Sequence, residues 1–168
     1  MAGSPTNGPT PTDEAQTQGG GISLTINAQY VKDLSFENPR APQSLLEQKA
    51  QPEVQLSVDV KARNLAPDLF EVLLTTSAQA KSGDEPVFMV ELVYGAVVTA
   101  KAEDQQLLPL LVLVETPRLM FPFARNILAS ATRDGGFPPL YINPIDFADL
   151  LRRQQEQAQQ QIQPTATA

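Results

Sequence analysis

Two stretches of alternating apolar and polar side chains constrain the fold of this chain more than any other feature. Successive side chains of a β-strand point to opposite faces, so a period of two predicts a strand with one buried face. The apolar members of the two stretches are Ile22, Leu24, Ile26, Ala28 and Tyr30, and then Val54, Leu56, Val58 and Val60. Similar patterns predict a third strand over 70–80 and a fourth that begins at Phe88 and extends as far as Val98.

The connections between these strands predict how they pair. Strands two, three and four are joined by short segments, one of them the turn-forming run Lys81–Pro86. Short connections favour antiparallel neighbours, because parallel strands need a long crossover. A longer, proline-containing connection over 32–52 separates the first strand from the second.

Helices follow the strands. The apolar segment 104–115 predicts a helix that stops before Pro117, since the residue before a proline avoids helical backbone angles. A second helix is predicted from Pro122 to a stop at Gly135, and a third is predicted with Asn143 as its N-cap. Strands first and helices later predict an α+β fold, with a four-stranded antiparallel sheet and helices packed on one side.

The two ends of the chain differ from this central part in composition. Residues 1–20 contain almost no large apolar side chain and are predicted to be disordered, because they cannot bury enough surface to offset the entropy of ordering. Residues 154–168 are rich in glutamine and are predicted to form a mobile tail. The ordered domain is therefore expected over 21–153.

Composition excludes several kinds of chemistry. The chain has no cysteine and no histidine, which removes disulfides, thiolate nucleophiles and imidazole acid–base groups, and no metal site or cofactor is expected. Nineteen acidic residues against twelve basic ones disfavour a nucleic acid partner and favour a basic protein surface. The longest apolar run, Leu107–Val114, is far shorter than a membrane span, and no signal sequence is visible. A soluble cytoplasmic protein is expected.

Carboxylates remain as candidates for catalysis. Glu71, Glu91 and Asp59 lie on predicted strands, each on the polar and therefore hydrated face. There is no phosphate-binding loop of the Gly-Lys-Ser/Thr kind. We therefore expect a binding protein rather than an enzyme. Two alternatives stay open: an adaptor that binds one folded basic partner through its acidic sheet face, and a small enzyme that uses a buried carboxylate pair.

Several short segments, in the same order and with the same spacing over about residues 22–155, resemble the SecB family of protein-export chaperones. These segments are Lys32–Glu37, Asn38-Pro39, Ala41-Pro42, Gln51–Val54, Phe70–Val72, Phe88–Glu91, Pro117, Phe121–Arg125, Gly136–Leu140 and Asn143–Phe147. The resemblance implies a four-stranded sheet packed on helices and assembly as a homotetramer, a dimer of dimers. It also implies a bacterial cytoplasmic protein that binds unfolded preproteins in apolar grooves without ATP and delivers them to the SecA motor.

The resemblance further implies a SecA-binding surface. Its acidic positions match Asp33, Glu37 and Glu91 here, and a neighbouring apolar position matches Met89. The strand pattern agrees with this, because Met89 and Glu91 alternate with the apolar residues of the fourth strand and so face outward.

The client groove is predicted from aromatic residues near loops and helix starts, which are Phe36, Phe121, Phe123 and Phe137. Simple core packing is the alternative role for these rings. The family commonly has tryptophan just before its Gln-Pro-Glu-Val motif, whereas this chain has Ala50 there. A groove of different local shape is therefore expected at that position.

Overall fold

The computed structural model describes residues 21–47 and 52–162 as an α+β fold with one four-stranded antiparallel sheet. The strands lie in the order β1-β4-β3-β2, so β1 and β2 are the edges. The elements are β1 (Ile22–Glu37), α1 (Gln43–Leu46), β2 (Glu53–Ala66), β3 (Leu69–Ser82), β4 (Glu85–Ala102), α2 (Gln105–Asp134) and α3 (Phe147–Ile162). The predicted fold class and strand number are confirmed.

The sheet has one face covered by helices, the inner face, and one outer face. On β4 the inner-face residues are buried from Phe88 to Ala102 at every second position. Helix α2 packs on them with side chains such as Met120 and Leu128, which are fully buried. This alternation explains why the sequence pattern of β4 predicted a strand so clearly.

Strand β1 is longer and less regular than the sequence predicted. It continues to Glu37, so residues 32–37 belong to the strand and not to the connection expected over 32–52. Against β4, the strand carries one extra residue at Asn27 and another at Lys32. Each extra residue is a β-bulge, which reverses the alternation of faces beyond it.

The two bulges change which side chains of β1 face the core. Residues Ile22, Leu24 and Ile26 pair with inner-face positions of β4, as predicted. Beyond Asn27, however, Ala28 and Tyr30 pair with outer-face positions. Their predicted place on the apolar face was wrong, because a period-two pattern read from sequence assumes a regular strand.

Helix α2 replaces the two helices predicted on either side of Pro117. Its first turn, Gln105–Leu107, is 3₁₀, and a π-helical turn over Leu111–Glu115 precedes its main α-helical part, Thr116–Asp134. The Thr116 side chain donates a hydrogen bond to the Leu111 carbonyl at 2.8 Å. The wider π turn accommodates the Pro117 ring, which would clash with a regular α-helical turn. The predicted stop at Gly135 is confirmed, since this residue is the C-cap.

Helix α3 begins later and ends later than predicted. Its N-cap is Asp146, whose carboxylate accepts hydrogen bonds from the backbone N–H groups of Ala148 and Asp149, both at 3.0 Å, so the predicted Asn143 cap was wrong. The helix continues to Ile162, and Gln154 donates a hydrogen bond to Asp59 of β2 at 2.8 Å. The glutamine-rich segment therefore starts as helix. The predicted disordered segment 1–20 lies outside the described residues.

Candidate functional site

Four exposed side chains on β1 and β4 form what we call the acidic patch: Asp33, Glu37, Met89 and Glu91. Glu37 lies directly opposite Met89, and Ser35 lies opposite Glu91. Directly paired residues of antiparallel strands share a face, so the four side chains lie together on the outer face of the sheet. The sequence had placed Asp33 and Glu37 in a connection, whereas the structure holds both on a strand.

The carboxylates of the acidic patch are free of ion pairs within residues 21–47 and 52–162. None of the three lies within 4.0 Å of a basic side-chain nitrogen there. Three exposed like charges beside Met89, which is 38% exposed, give a negative surface with an apolar centre. Such a surface suits a basic partner that also brings an apolar group.

A second group of charges lies farther along the outer face, and we call it the Glu71 cluster. Glu71 of β3 was expected to be hydrated, but it is only 5% exposed. Its carboxylate accepts hydrogen bonds from the Tyr30 hydroxyl at 2.5 Å, from the Lys32 ammonium at 3.1 Å and from the Arg63 guanidinium. Tyr30 and Lys32 come from β1 and Arg63 from β2, so these side chains cover Glu71 from both edges of the sheet.

The Tyr30 ring reaches Glu71 by crossing β4 at Gly95. A Cβ atom at position 95 would lie 2.5 Å from Cζ of Tyr30, closer than carbon atoms can approach. A glycine inside a strand marks such a close approach. Gly95, Tyr30 and Glu71 were not among the residues that the sequence predicted for the SecA-binding surface or the client groove.

The Glu71 cluster is an ion network and not an acid–base pair. Hydrogen bonds from Tyr30 and Arg63 lower the pKa of Glu71 to about 2, against the opposing effect of burial. Burial, with the hydrogen bond to Glu71, raises the pKa of Tyr30 to about 12. General acid–base catalysis works best with groups that titrate near neutral pH. Both groups are far from that range, so the cluster gives no support to the enzyme alternative.

On the opposite face of the sheet, at the same end of β1 and β4, lies a cleft of about 760 Å³. Behind it three rings pack together, with centroids 5.8 Å apart for Phe36 and Phe88 and 4.9 Å apart for Phe88 and Phe137. The apolar residues that line the cleft are Pro52, Val54, Val87, Phe88, Phe137, Pro138, Pro139 and Leu140. The other lining residues are polar or charged, namely Arg40, Ser44, Glu47, Ser82 and Glu85. A cleft of this volume that combines apolar residues with polar groups is typical of a ligand-binding site.

Polar contacts fix the two walls of the cleft. On one side Arg40 forms ion pairs with Glu47 and with Glu85 of the β3–β4 hairpin. On the other side the backbone N–H of Leu140 donates to the Thr132 hydroxyl at 2.9 Å. These contacts tie the chain around α1 to the β3–β4 hairpin, and the chain after α2 to the end of that helix.

Close packing at Gly135 seats the Phe36 ring behind the cleft. A Cβ atom at Gly135 would overlap that ring. The end of α2 and the end of β1 thus meet at a contact that only glycine permits.

The structure separates the four predicted groove rings. Phe137 lines the cleft, and Phe36 packs behind it. Phe121 is buried against Phe147, with ring centroids 6.0 Å apart, and takes no part in the cleft. Phe123 is 54% exposed on α2 and also does not line it. Phe88, which the sequence analysis used only as a strand residue, is the ring that it missed. Ala50 lies outside the described residues.

Comparison with known proteins gives a consistent result. A family model described as "Preprotein translocase subunit SecB" matches residues 15–159. "Protein-export protein SecB" of Rhodospirillum centenum is 50% identical over 140 residues, which cover 83% of this chain and 83% of the relative. The protein of the same description from Rhodopseudomonas palustris strain HaA2 is 51% identical over 142 residues, covering 84% and 90% of the two chains.

A solved structure is similar in fold. It is a SecB-like chaperone, Rv1957 of Mycobacterium tuberculosis, in complex with a peptide from the Rv1956 HigA1 antitoxin. The TM-score is 0.56 at 16% sequence identity, and the match covers 73% of this chain and 90% of that one. At this identity the likeness concerns the fold alone.

Proposed function

Because the chain belongs to the SecB family of preprotein translocase subunits, we propose that it holds unfolded secretory precursors in its cleft and delivers them to the SecA motor through its acidic patch. The chain is a chaperone of protein export. The main support for these two roles is the relative position of the cleft and the acidic patch. They lie on opposite faces of one sheet, at the same end of β1 and β4.

The cleft supports binding of many different clients. Burial of apolar surface is non-directional and contributes roughly 25 cal/mol per Å², so an apolar cleft does not require one client sequence. Its neighbourhood adds exposed apolar side chains, among them Leu45, Leu46 and Leu56. No nucleotide is needed for such binding, and release follows if SecA competes for the precursor. This action belongs in the bacterial cytoplasm, before precursors cross the membrane.

The acidic patch supports docking of SecA. Exposed carboxylates without ion pairs attract a basic segment and set its orientation. The same patch would also serve an adaptor that binds one folded basic partner. The two functions differ in the cleft, because an adaptor has no use for denatured clients.

We propose that the chain forms the tetramer that its family resemblance implies, and the exposed apolar residues of helix α2 support self-association. By length and apolar composition this helix could cross a membrane, as could many buried core helices of soluble proteins. Its inner side packs on the sheet, while Leu110, Leu119 and Phe123 remain exposed. A second copy of the chain would cover these residues. Light scattering at micromolar concentration should give the mass of four chains, and the mass of one chain would contradict the proposal.

Replacing Val54 by lysine should weaken client holding roughly tenfold, because it places a charge in the apolar cleft. Val54 lines the cleft on the edge strand β2 and is 39% exposed, so the fold should persist. The matched control is Leu65→Lys, which adds the same charge at the other end of β2. The measurement is suppression of aggregation of a denatured signal-bearing precursor without ATP. If the parent protein fails to suppress aggregation, or if both variants behave alike, the cleft is not the client site.

A further inference from the structure

We propose that Glu71 is a positioning residue that fixes the register of β1, so that this strand presents Phe36 to the cleft and Asp33 and Glu37 to the acidic patch. The inference rests on the proposed function in one respect: the cleft binds clients and the acidic patch binds SecA. Glu71 itself contacts neither the cleft nor the acidic patch. It acts through Tyr30 and Lys32 of β1.

The register of β1 depends on the bulge at Lys32. Val31 pairs with Tyr94 and Asp33 pairs with Val93, so two steps along β1 match one step along β4. Without this extra residue the alternation of faces would continue unchanged from Tyr30. Asp33 and Glu37 would then point to the inner face, and Phe36 would point outward, because a shift of one residue moves every later side chain to the other face.

Glu71 binds β1 before the bulge and at the bulged residue itself. One carboxylate oxygen, Oε1, accepts a hydrogen bond from Tyr30 before the bulge and from Lys32 within it. If β1 had no bulge, Tyr30 and Lys32 would still share the outer face. The next residue on that face would then be Leu34 and not Asp33. A carboxylate that draws Lys32 towards β3 favours the arrangement in which Lys32 is the extra residue.

Next to the bulge, at Val31 and Leu34, apolar burial discriminates weakly between the two registers, whereas farther along β1 Phe36 favours the inner face because it packs on Phe88 and Phe137. Leu34 is 44% exposed and Val31 is 47% exposed although both face inward, and Phe36 is only half-buried. Register is weakly specified where neither face of a strand is well buried. The Glu71 cluster supplies a specific contact at the point where burial does not decide.

The Glu71 cluster also fixes the place of β1 just before the bulge. Gly95 leaves room for the Tyr30 ring only on the outer face, opposite Tyr30 in the observed pairing. Arg63 of β2 occupies the other carboxylate oxygen, Oε2, and leaves Oε1 to β1. The two contacts from β1 can therefore be changed without removing the contact from β2.

Engineered disulfides can report the register, because the chain has no cysteine of its own. Ser35 lies opposite Glu91, so cysteines at these two positions share a face and should cross-link under mild oxidation. In a slipped strand the two side chains would point to opposite faces and could not react. The control pair is Ser23→Cys with Lys101→Cys, which lie opposite each other before both bulges.

Lys32→Met and Glu71→Gln should each slow the Ser35–Glu91 cross-link about fivefold or more, as expected when a slipped register becomes populated. The Ser23–Lys101 cross-link should keep its parent rate in both variants. Arg63→Met is the matched control, since it removes a cation from the same carboxylate without touching β1. In the Arg63→Met variant, the Ser35–Glu91 and Ser23–Lys101 cross-links should both form at the parent rate.

Two results would overturn the proposal. Parent rates at Ser35–Glu91 in both variants would show that the register does not depend on Glu71. Equal slowing of both cysteine pairs, or equal slowing by Arg63→Met, would show a general loss of stability in place of a positioning role. The assay contains neither client nor SecA, so failure of the proposed function would leave its outcome unchanged.

Discussion

Replacing Glu91 by lysine should weaken binding to SecA at least about tenfold, in line with the cost of on the order of 2 kcal/mol for losing a good interfacial charge contact. Glu91 is exposed on the outer face, so the fold does not depend on it. The substitution also puts a positive charge between Asp33 and Glu37, where a basic partner segment would otherwise be attracted. Suppression of client aggregation should persist, because the cleft lies on the opposite face. Calorimetry with SecA at low and high salt is the measurement.

The control for this experiment is Glu103→Lys. Glu103 is exposed just beyond the far end of β4, about 40 Å from Glu91 at roughly 3.3 Å per residue, and the substitution changes the net charge equally. It should bind SecA nearly as the parent does. Weakened binding by both variants would point to net charge alone, and loss of client holding in the Glu91 variant would show that the two surfaces are not separate.

The second large effect is expected in acid. The pKa of Glu71 falls from its ordinary 4.5 to about 2 in the folded chain, so the folded state favours the ionised carboxylate. The resulting stabilisation is complete above pH 4.5 and is lost as the pH falls to about 2. A shift of this size corresponds to at most about 3 kcal/mol in the free energy of unfolding, and solvent screening of the exposed Lys32 and Arg63 side chains reduces this contribution.

Denaturant unfolding across this pH range tests the expectation. Glu71→Gln should be less stable than the parent at neutral pH, and the difference should shrink as the pH approaches 2. Glu91→Gln is the control, because its carboxylate is exposed and outside the cluster. If the parent and Glu71→Gln lose stability in parallel, the carboxylate of Glu71 does not stabilise the fold through its ionised form.

The sheet could be predicted from the sequence because β2, β3 and β4 keep a period of two over most of their length, with register shifts only near strand ends, between Asn64 and Ala66 and between Ala80 and Lys81. On β4 each inner-face residue is buried, so apolar character and position agree along the strand. Strand β1 could not be predicted to its end. Its bulges at Asn27 and Lys32 interrupt the period, and the bulge at Lys32 is stabilised by Glu71, which lies 39 residues away in the sequence. A contact of this kind leaves no local pattern.

Only part of the candidate site could be predicted, again because contacts between distant residues leave no local sequence pattern. The family resemblance supplied Asp33, Glu37, Met89 and Glu91 as positions, and the structure gives the strand pairing that brings them together. Phe121 and Phe123 lie away from the described cleft, so their assignment to a client groove stays a prediction. Both lie within one continuous helix, whose existence depends on the π turn before Pro117 and not on the helix propensity of either ring.

The contact between Gly135 and Phe36 restricts how relatives of this chain can vary. Every amino acid other than glycine carries a Cβ atom, and at position 135 that atom would overlap the Phe36 ring. While phenylalanine occupies position 36, a substitution at Gly135 therefore requires the Phe36 ring to move. The two positions are almost one hundred residues apart in the sequence, yet a larger residue at position 135 is accommodated more readily when position 36 already carries a smaller one. Mutations at these sites should accordingly be fixed in a defined order, the strand residue before the glycine.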